Sequence, residues 1–166
     1  MKHLLGAATV LSLVLVAACG QQGGDNASDT QPNVAVNAAA QESIRARQTH
    51  YKQIGAAMKG INDQLKSGAP DVAAIQGHAA RIAEYAPQIE GWFPQGSGSE
   101  AGLKTRAAAE IWSDPDGFRE AAQLFVARAE SFNRVAQEGS LDAIRAALPQ
   151  LGDSCKTCHD RFRGPE

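Results

Sequence analysis

The stretch Cys155-Lys156-Thr157-Cys158-His159, close to the C-terminus at Glu166, constrains this chain more than any other. Two thiols three apart, followed at once by an imidazole, form the attachment signature of a c-type haem. Each thiol adds to a haem vinyl group as a thioether, and the His sits beneath the iron as its axial ligand. On a helix, positions 155, 158 and 159 share one face, so one porphyrin can meet all three side chains. A zinc site would need four ligands, usually with a second Cys or His pair. Here His3, His50 and His78 are far away in sequence, and the only other Cys is Cys19. A redox CxxC pair normally opens a βαβ unit, and no such pattern is present. The motif predicts one covalent haem c, with His159 as the metal ligand.

The N-terminus agrees with export, which c-type haem attachment in bacteria requires. Met1-Lys2-His3 is short and basic, and Leu4 to Ala18 is apolar but too short for a stable bilayer span. Val16-Ala17-Ala18-Cys19-Gly20 places small residues before a Cys, as at a bacterial lipoprotein processing site. The reading is a signal peptide over residues 1–18, with Cys19 lipidated as the new N-terminus. An ordinary signal peptide with an incidental Cys19 is the alternative. Residues 20 to about 37 are rich in Gly, Gln, Asn, Asp and Ser without apolar period, which reads as a flexible tether. The expected location is periplasmic, anchored to a membrane through the lipid.

The remaining residues, 38–166, suit one domain with one core. A formal net charge of −2 and no basic patch argue against nucleic-acid binding. Ala is abundant, aromatics are 5%, and no alternating strand pattern appears, which favours helices. Four helical stretches follow. The first covers about Ala39 to Ser67, with Ile44, Tyr51, Ile54, Met58, Ile61 and Leu65 at spacings of three and four. The second covers about Asp71 to Trp92 and should kink at Pro87. A loop at Pro94-Gln95-Gly96-Ser97-Gly98-Ser99 and a connection with one short turn between Ala107 and Trp112 lead to the third. That helix starts at Asp114 or Asp116 and runs to Gly139-Ser140, with Phe118, Ala122, Phe125, Ala129, Phe132 and Ala136 as its stripe. The fourth runs from about Leu141 to Arg163 and should bend at Pro149. Four such helices with mostly short connections predict an all-α fold, an antiparallel four-helix bundle with covalently bound haem.

Cys155 and Cys158 lie on the seam of the last helix, so the haem must enter the core. Ala at many seam positions leaves room for a flat cofactor. Most of the stripe, Met58 included, is simply packing. Arg47 fills a seam position one turn before Tyr51. Such a cation often snorkels to solvent; with a haem beneath that face it can instead reach a propionate.

Three segments resemble the cytochrome c′ family, the class II c-type cytochromes. Arg47-Gln48-Thr49-His50-Tyr51 is similar to the family's first-helix segment, and Glu110-Ile111-Trp112-Ser113-Asp114 to the segment entering the third helix. Cys155 to Arg163 matches the last one, including an Arg four after the His. The resemblance covers about Gln41 to Arg163. It implies that Arg47 and Gln48 lie near the propionates and that Arg163 lies near His159. It also implies that Tyr51 takes the distal position, where low-spin relatives carry Met, and that the protein forms a homodimer through its first two helices.

The function this implies is an exported one-electron carrier, not an enzyme. It would have a five-coordinate haem that binds diatomic gases such as nitric oxide and carbon monoxide, with redox proteins of the periplasm or membrane as partners. The alternative is a six-coordinate, low-spin electron-transfer cytochrome. Peroxidase-like turnover lacks a distal acid–base His in register, because His50 is about 100° off the seam on an ideal helix.

Overall fold

The computed structural model describes residues 32–165, with side chains from residue 37 on. The expected signal peptide, Cys19 and most of the tether lie outside the described residues. Helix α1 is Pro32–Lys66 and begins seven residues before the expected start at Ala39, inside the stretch read as tether. Pro32 suits a first turn, where a missing N–H costs nothing.

Helix α2 is Val72–Tyr85, capped by Asp71, whose carboxylate accepts from the Ala74 N–H at 3.2 Å. The expected second helix does not continue to Trp92 as a kinked α-helix. From Ala86 to Trp92 the chain tightens into a 3₁₀-helix. Pro87 lacks an N–H and so cannot donate to the Ala83 carbonyl four residues earlier, which accounts for the change at that point. A second 3₁₀ turn, Ser99–Ala101, lies within the loop that follows. The single turn α3, Glu110–Ser113, is the short turn expected before the third long helix.

Helix α4 is Pro115–Glu138, with the Asp114 side chain accepting from the Gly117 N–H at 3.2 Å. It ends at Gly139, whose φ of 79° is left-handed and favours glycine. Helix α5 is Leu141–Phe162, capped by Ser140, and it stays helical through Pro149.

The apolar stripes meet as expected. Ile54, Ala57 and Ile61 of α1 join Ile75, Ala79 and Ile82 of α2, the α4 stripe, and Ile144 and Leu151 of α5 in one core. Ala40 and Ile44 pack separately against Ala101. Among the described residues there is no strand, only an isolated bridge between Ala107 and Arg163. Helix α1 packs on α2, α2 on α4 and α4 on α5. Helices α1 and α5, which would close the ring, scarcely touch. The site lies in the space between them.

Candidate functional site

A cavity of about 670 Å³ opens between α1 and α5. This falls within the roughly 300–1,000 Å³ typical of ligand and cofactor sites. All seven haem-site residues expected from the sequence line it: Arg47, Gln48, Tyr51, Cys155, Cys158, His159 and Arg163. Helix α5 supplies one wall. Cys155 and Cys158 are half-buried, unpaired thiols on successive turns, and His159 is next to them. Burial raises the pKa of both thiols, and that of Cys158 is pushed up to about 11, with charge repulsion from Cys155 as the second cause. Both are therefore protonated at neutral pH. The His159 pKa moves down, first through burial and then through the positive charges of Arg163 and Arg106, with Asp160 opposing. A lowered value keeps the imidazole neutral, the form that binds metal.

The other walls are apolar, with Ile54, Ile89, Phe118 and Phe125 among them. Gly55 on α1 and Gly152 on α5 also line the cavity, and a Cβ at either would meet nothing within 4 Å. Four cations, Arg47, Lys52, Arg106 and Arg163, line the cavity, and no Asp or Glu does. Two thiols, an imidazole, apolar faces, empty space beside two glycines and a cationic edge are the donor set and shape that a covalent haem with two propionates requires. The residues fit the group.

Tyr51 stands on the α1 wall, half-buried. Its ring meets Trp92 edge-on at 5.2 Å and Phe93 at 6.3 Å between centroids. Burial holds its phenol well above the ordinary value near 10; Cys158 and Cys155 add to this and Arg47 opposes it. Met58 lines the same wall, packed against the main core.

Arg47 does not snorkel: it is 2% exposed. Nor is its guanidinium held open for a propionate alone. Nη1 donates to Ser97 Oγ at 2.8 Å and to the Trp92 carbonyl at 3.5 Å. Nη2 donates to the Ser97 carbonyl at 2.6 Å and to Thr105 Oγ1 at 2.9 Å. The guanidinium carbon lies 4.7 Å from the Phe93 ring centre. Gln48 does the same on a smaller scale, donating to the Lys104 carbonyl at 2.9 Å. Both residues therefore fasten the 92–105 loop to α1 and bring Phe93 into the cavity wall. The sequence reading missed Ser97 and Thr105. The available signal was Arg47 itself, since a buried guanidinium needs several acceptors and a Ser- and Gly-rich loop can supply them.

The end of α5 is fixed by another feature that the helical pattern does not show. Ala108 N–H donates to the Phe162 carbonyl at 3.1 Å, and Gly164 N–H to the Arg106 carbonyl at 2.8 Å. Arg106 Nε donates back to the Gly164 carbonyl at 3.0 Å. Arg161 pairs with Asp114 at the start of α4. These ties hold the turn carrying His159 and Arg163 against the rest of the bundle.

Comparison with known proteins gives a consistent answer. The sequence profile of the family described as Cytochrome C′ matches residues 42–163. A cytochrome c′ of Pararhodospirillum photometricum is 32% identical over 120 residues, 72% of this chain and 94% of that one. A solved cytochrome c′ with ligand-controlled dimer dissociation superposes with a TM-score of 0.71 at 26% identity, covering 76% of this chain and 97% of the other. A nitric oxide complex of a variant cytochrome c′ from Alcaligenes xylosoxidans superposes with a TM-score of 0.68 at 26% identity, over 76% and 97%.

Proposed function

This chain belongs to the cytochrome c′ family, and from that premise we propose that it is a periplasmic one-electron haem protein whose five-coordinate iron binds diatomic gases, nitric oxide foremost. It is a c-type haem protein and not a classical enzyme. The haem supplies the redox couple and the gas-binding iron. Cys155 and Cys158 would hold it through thioethers, and His159 would ligate the iron from the α5 side. Arg163 would act on that imidazole through its charge, as groups beyond the ligand commonly do. The remaining Nε–H and the charge of Arg47, together with Gln48, would meet the propionates.

The observation that carries this reading is Tyr51. The family resemblance puts it where low-spin relatives carry Met, and a phenol bonds iron well only as phenolate. Removing its proton at pH 7 costs roughly 4 kcal/mol even from a reference pKa near 10. Burial makes the cost larger. Tyr51 therefore stays neutral and covers the iron without binding it. As a lid it excludes water and bulky ligands and swings aside for a diatomic one. A nitric oxide complex of a related protein supports the choice of ligand.

An optical spectrum of the reduced protein with and without carbon monoxide tests this. The expected result is a high-spin spectrum that changes on adding the gas, with faster uptake in Tyr51→Ala. A low-spin spectrum without response would favour the six-coordinate electron-transfer reading. Lipidation of Cys19 and membrane anchoring belong to the same proposal. Cys19→Ser should release the protein to the soluble fraction, and an unmodified Cys19 by intact mass would refute the anchor. Dimerisation through α1 and α2 is likewise proposed; a relative with ligand-controlled dimer dissociation supports it.

A further inference from the structure

The chain has nine aromatic residues, and their arrangement around the cavity is uneven. From Tyr51 two branches of touching rings lead away. On one, Tyr51 meets Trp92 at 5.2 Å, and Trp92 meets Tyr85 at 6.1 Å. On the other, Tyr51 meets Phe93 at 6.3 Å, Phe93 meets Phe118 at 5.1 Å, and Phe118 meets Phe162 at 5.3 Å. The branches differ in chemistry. Tyrosine and tryptophan lose one electron far more readily than phenylalanine does. The first branch is made wholly of oxidisable rings and the second of phenyl rings. Trp112 touches this network only through Phe93, at 6.3 Å.

The oxidisable branch ends outside the cavity. Tyr85 is the last residue of α2 and is part-exposed. His50 lies beside the two outer rings, 4.7 Å from Trp92 and 5.4 Å from Tyr85. Its Nδ1 is buried and has no hydrogen-bond partner among the described residues. His50 thus places a base within the cluster, and its position off the seam, which disqualifies it as a distal catalyst, puts it there.

We propose that Tyr51, Trp92 and Tyr85 form a relay that returns an electron to the haem after oxidation by hydrogen peroxide, moving the vacancy from the cavity to the protein surface. This rests on the reading of an open iron that a small molecule can reach. A bound ferric haem that reacted with one peroxide would release one water, keep the second oxygen and be left two electrons short. The relay would supply one of those electrons, and an external reductant would supply the other, with two protons from solvent releasing the second water. Tyr51, at the cavity wall, would give the haem one electron and release its phenolic proton into the cavity, then take an electron from Trp92 and recover the proton. Trp92 gives up an electron without having to release a proton. Tyr85, part-exposed, then reduces Trp92 and releases its phenolic proton to water, leaving a neutral tyrosyl radical at the surface for an external reductant. The relay spares the porphyrin and the thioether-linked helix. It asks only for the slow, unassisted reaction of peroxide with an open iron, so a distal acid–base pair is not required.

The test treats the ferric holoprotein with one equivalent of hydrogen peroxide and a nitrone spin trap, and maps the adduct by peptide mass spectrometry. The wild type should carry the adduct on Tyr85. In Trp92→Phe that adduct should fall at least fivefold and appear on Tyr51. In Tyr85→Phe, which removes only a hydroxyl, it should move to Trp92, and haem bleaching per peroxide should rise severalfold. If Trp92→Phe does not fold, Tyr85→Phe decides alone. Unchanged bleaching in Tyr85→Phe, or a wild-type adduct confined to Tyr51 or found away from this branch, overturns the relay. Carbon monoxide uptake by the reduced wild type separates the two readings. Uptake with no Tyr85 adduct overturns the relay only, and absence of uptake overturns the open iron and the relay together.

Discussion

Where α2 packs against α4, Ile75, Ala79, Ile82, Ala129 and Ala136 are each at most 1% exposed. Where α1 faces α5, Tyr51, Met58, Cys155 and Cys158 are only half-buried around an open cavity. Both sides are built on the same three-and-four spacing of apolar residues. What differs is what occupies the seam. The closed side has Ile, Ala and Phe whose volumes fill the space between helices. The open side has Gly55 and Gly152, two thiols and a rim of cations. Helical periodicity thus says where a core will be, and side-chain volume says whether the chain can fill it alone. One side folds on its own packing; the other is completed by a cofactor, which stabilises whatever state binds it.

The double variant Cys155→Ser, Cys158→Ser should break this comparison most severely. Covalent haem should be lost completely, read by intact mass. Hydrogen exchange should then divide the molecule, with α2 and the middle of α4 protected and residues 47–58 and 152–159 exchanging fast. Equal protection of both regions would show that the open side needs no cofactor.

Single rings should sharpen it within the folded protein. Phe132 is 2% exposed in the closed core, and Phe132→Ala should cost about 3–5 kcal/mol in denaturant unfolding. Phe125 lines the cavity. In haem-free protein Phe125→Ala should cost clearly less, because it enlarges an existing space instead of opening a new one. Equal costs would argue that the cavity side is packed as tightly as the other.

Arg47→Leu comes next. Ser97 and Thr105 would lose a buried charged donor, at about 2 kcal/mol. The haem should also lose a nearby positive charge, so the reduction potential should fall, most clearly at low salt. Destabilisation with an unchanged potential would leave Arg47 as a loop clamp only.

Arg47 also shows where sequence reasoning stops. The haem helix, the long helices and the seam position of Arg47 were legible because each rests on local spacing, a CxxCH on one face or stripes of period near 3.6, whereas Gln48, Arg163 and the distal place of Tyr51 came only with the family resemblance. The loop from Trp92 to Thr105 was not legible. Its Ser97 is buried against the guanidinium of a residue fifty positions earlier, and no local pattern records a contact that distant. The change to 3₁₀ geometry at Ala86 had a local signal in Pro87, which marked an irregularity without saying which kind. The tie between Arg106 and Gly164 leaves no trace in the helical pattern, since both residues lie outside the long helices.

The smallest expected effect concerns Tyr51 at alkaline pH. Burial raises the pKa of its phenol above the ordinary value near 10. In the loaded protein the two thiols become thioethers and can no longer carry charge, so burial remains as the cause. The native state then keeps this proton at pH values where the unfolded chain has released it. The group's contribution to stability is therefore complete below about pH 10 and declines as pH rises from there towards the folded value. Tyr51→Phe should remove that decline and leave stability at pH 7 nearly unchanged, which denaturant titrations at several pH values would show. The visible spectrum should stay constant through pH 10 in both proteins, because the phenol never becomes a phenolate ligand. A spectral transition below pH 10 that is present in the wild type and absent in Tyr51→Phe would mean that Tyr51 binds the iron. The open side of the bundle would then be closed by its own side chain, and the gas-binding reading would fail.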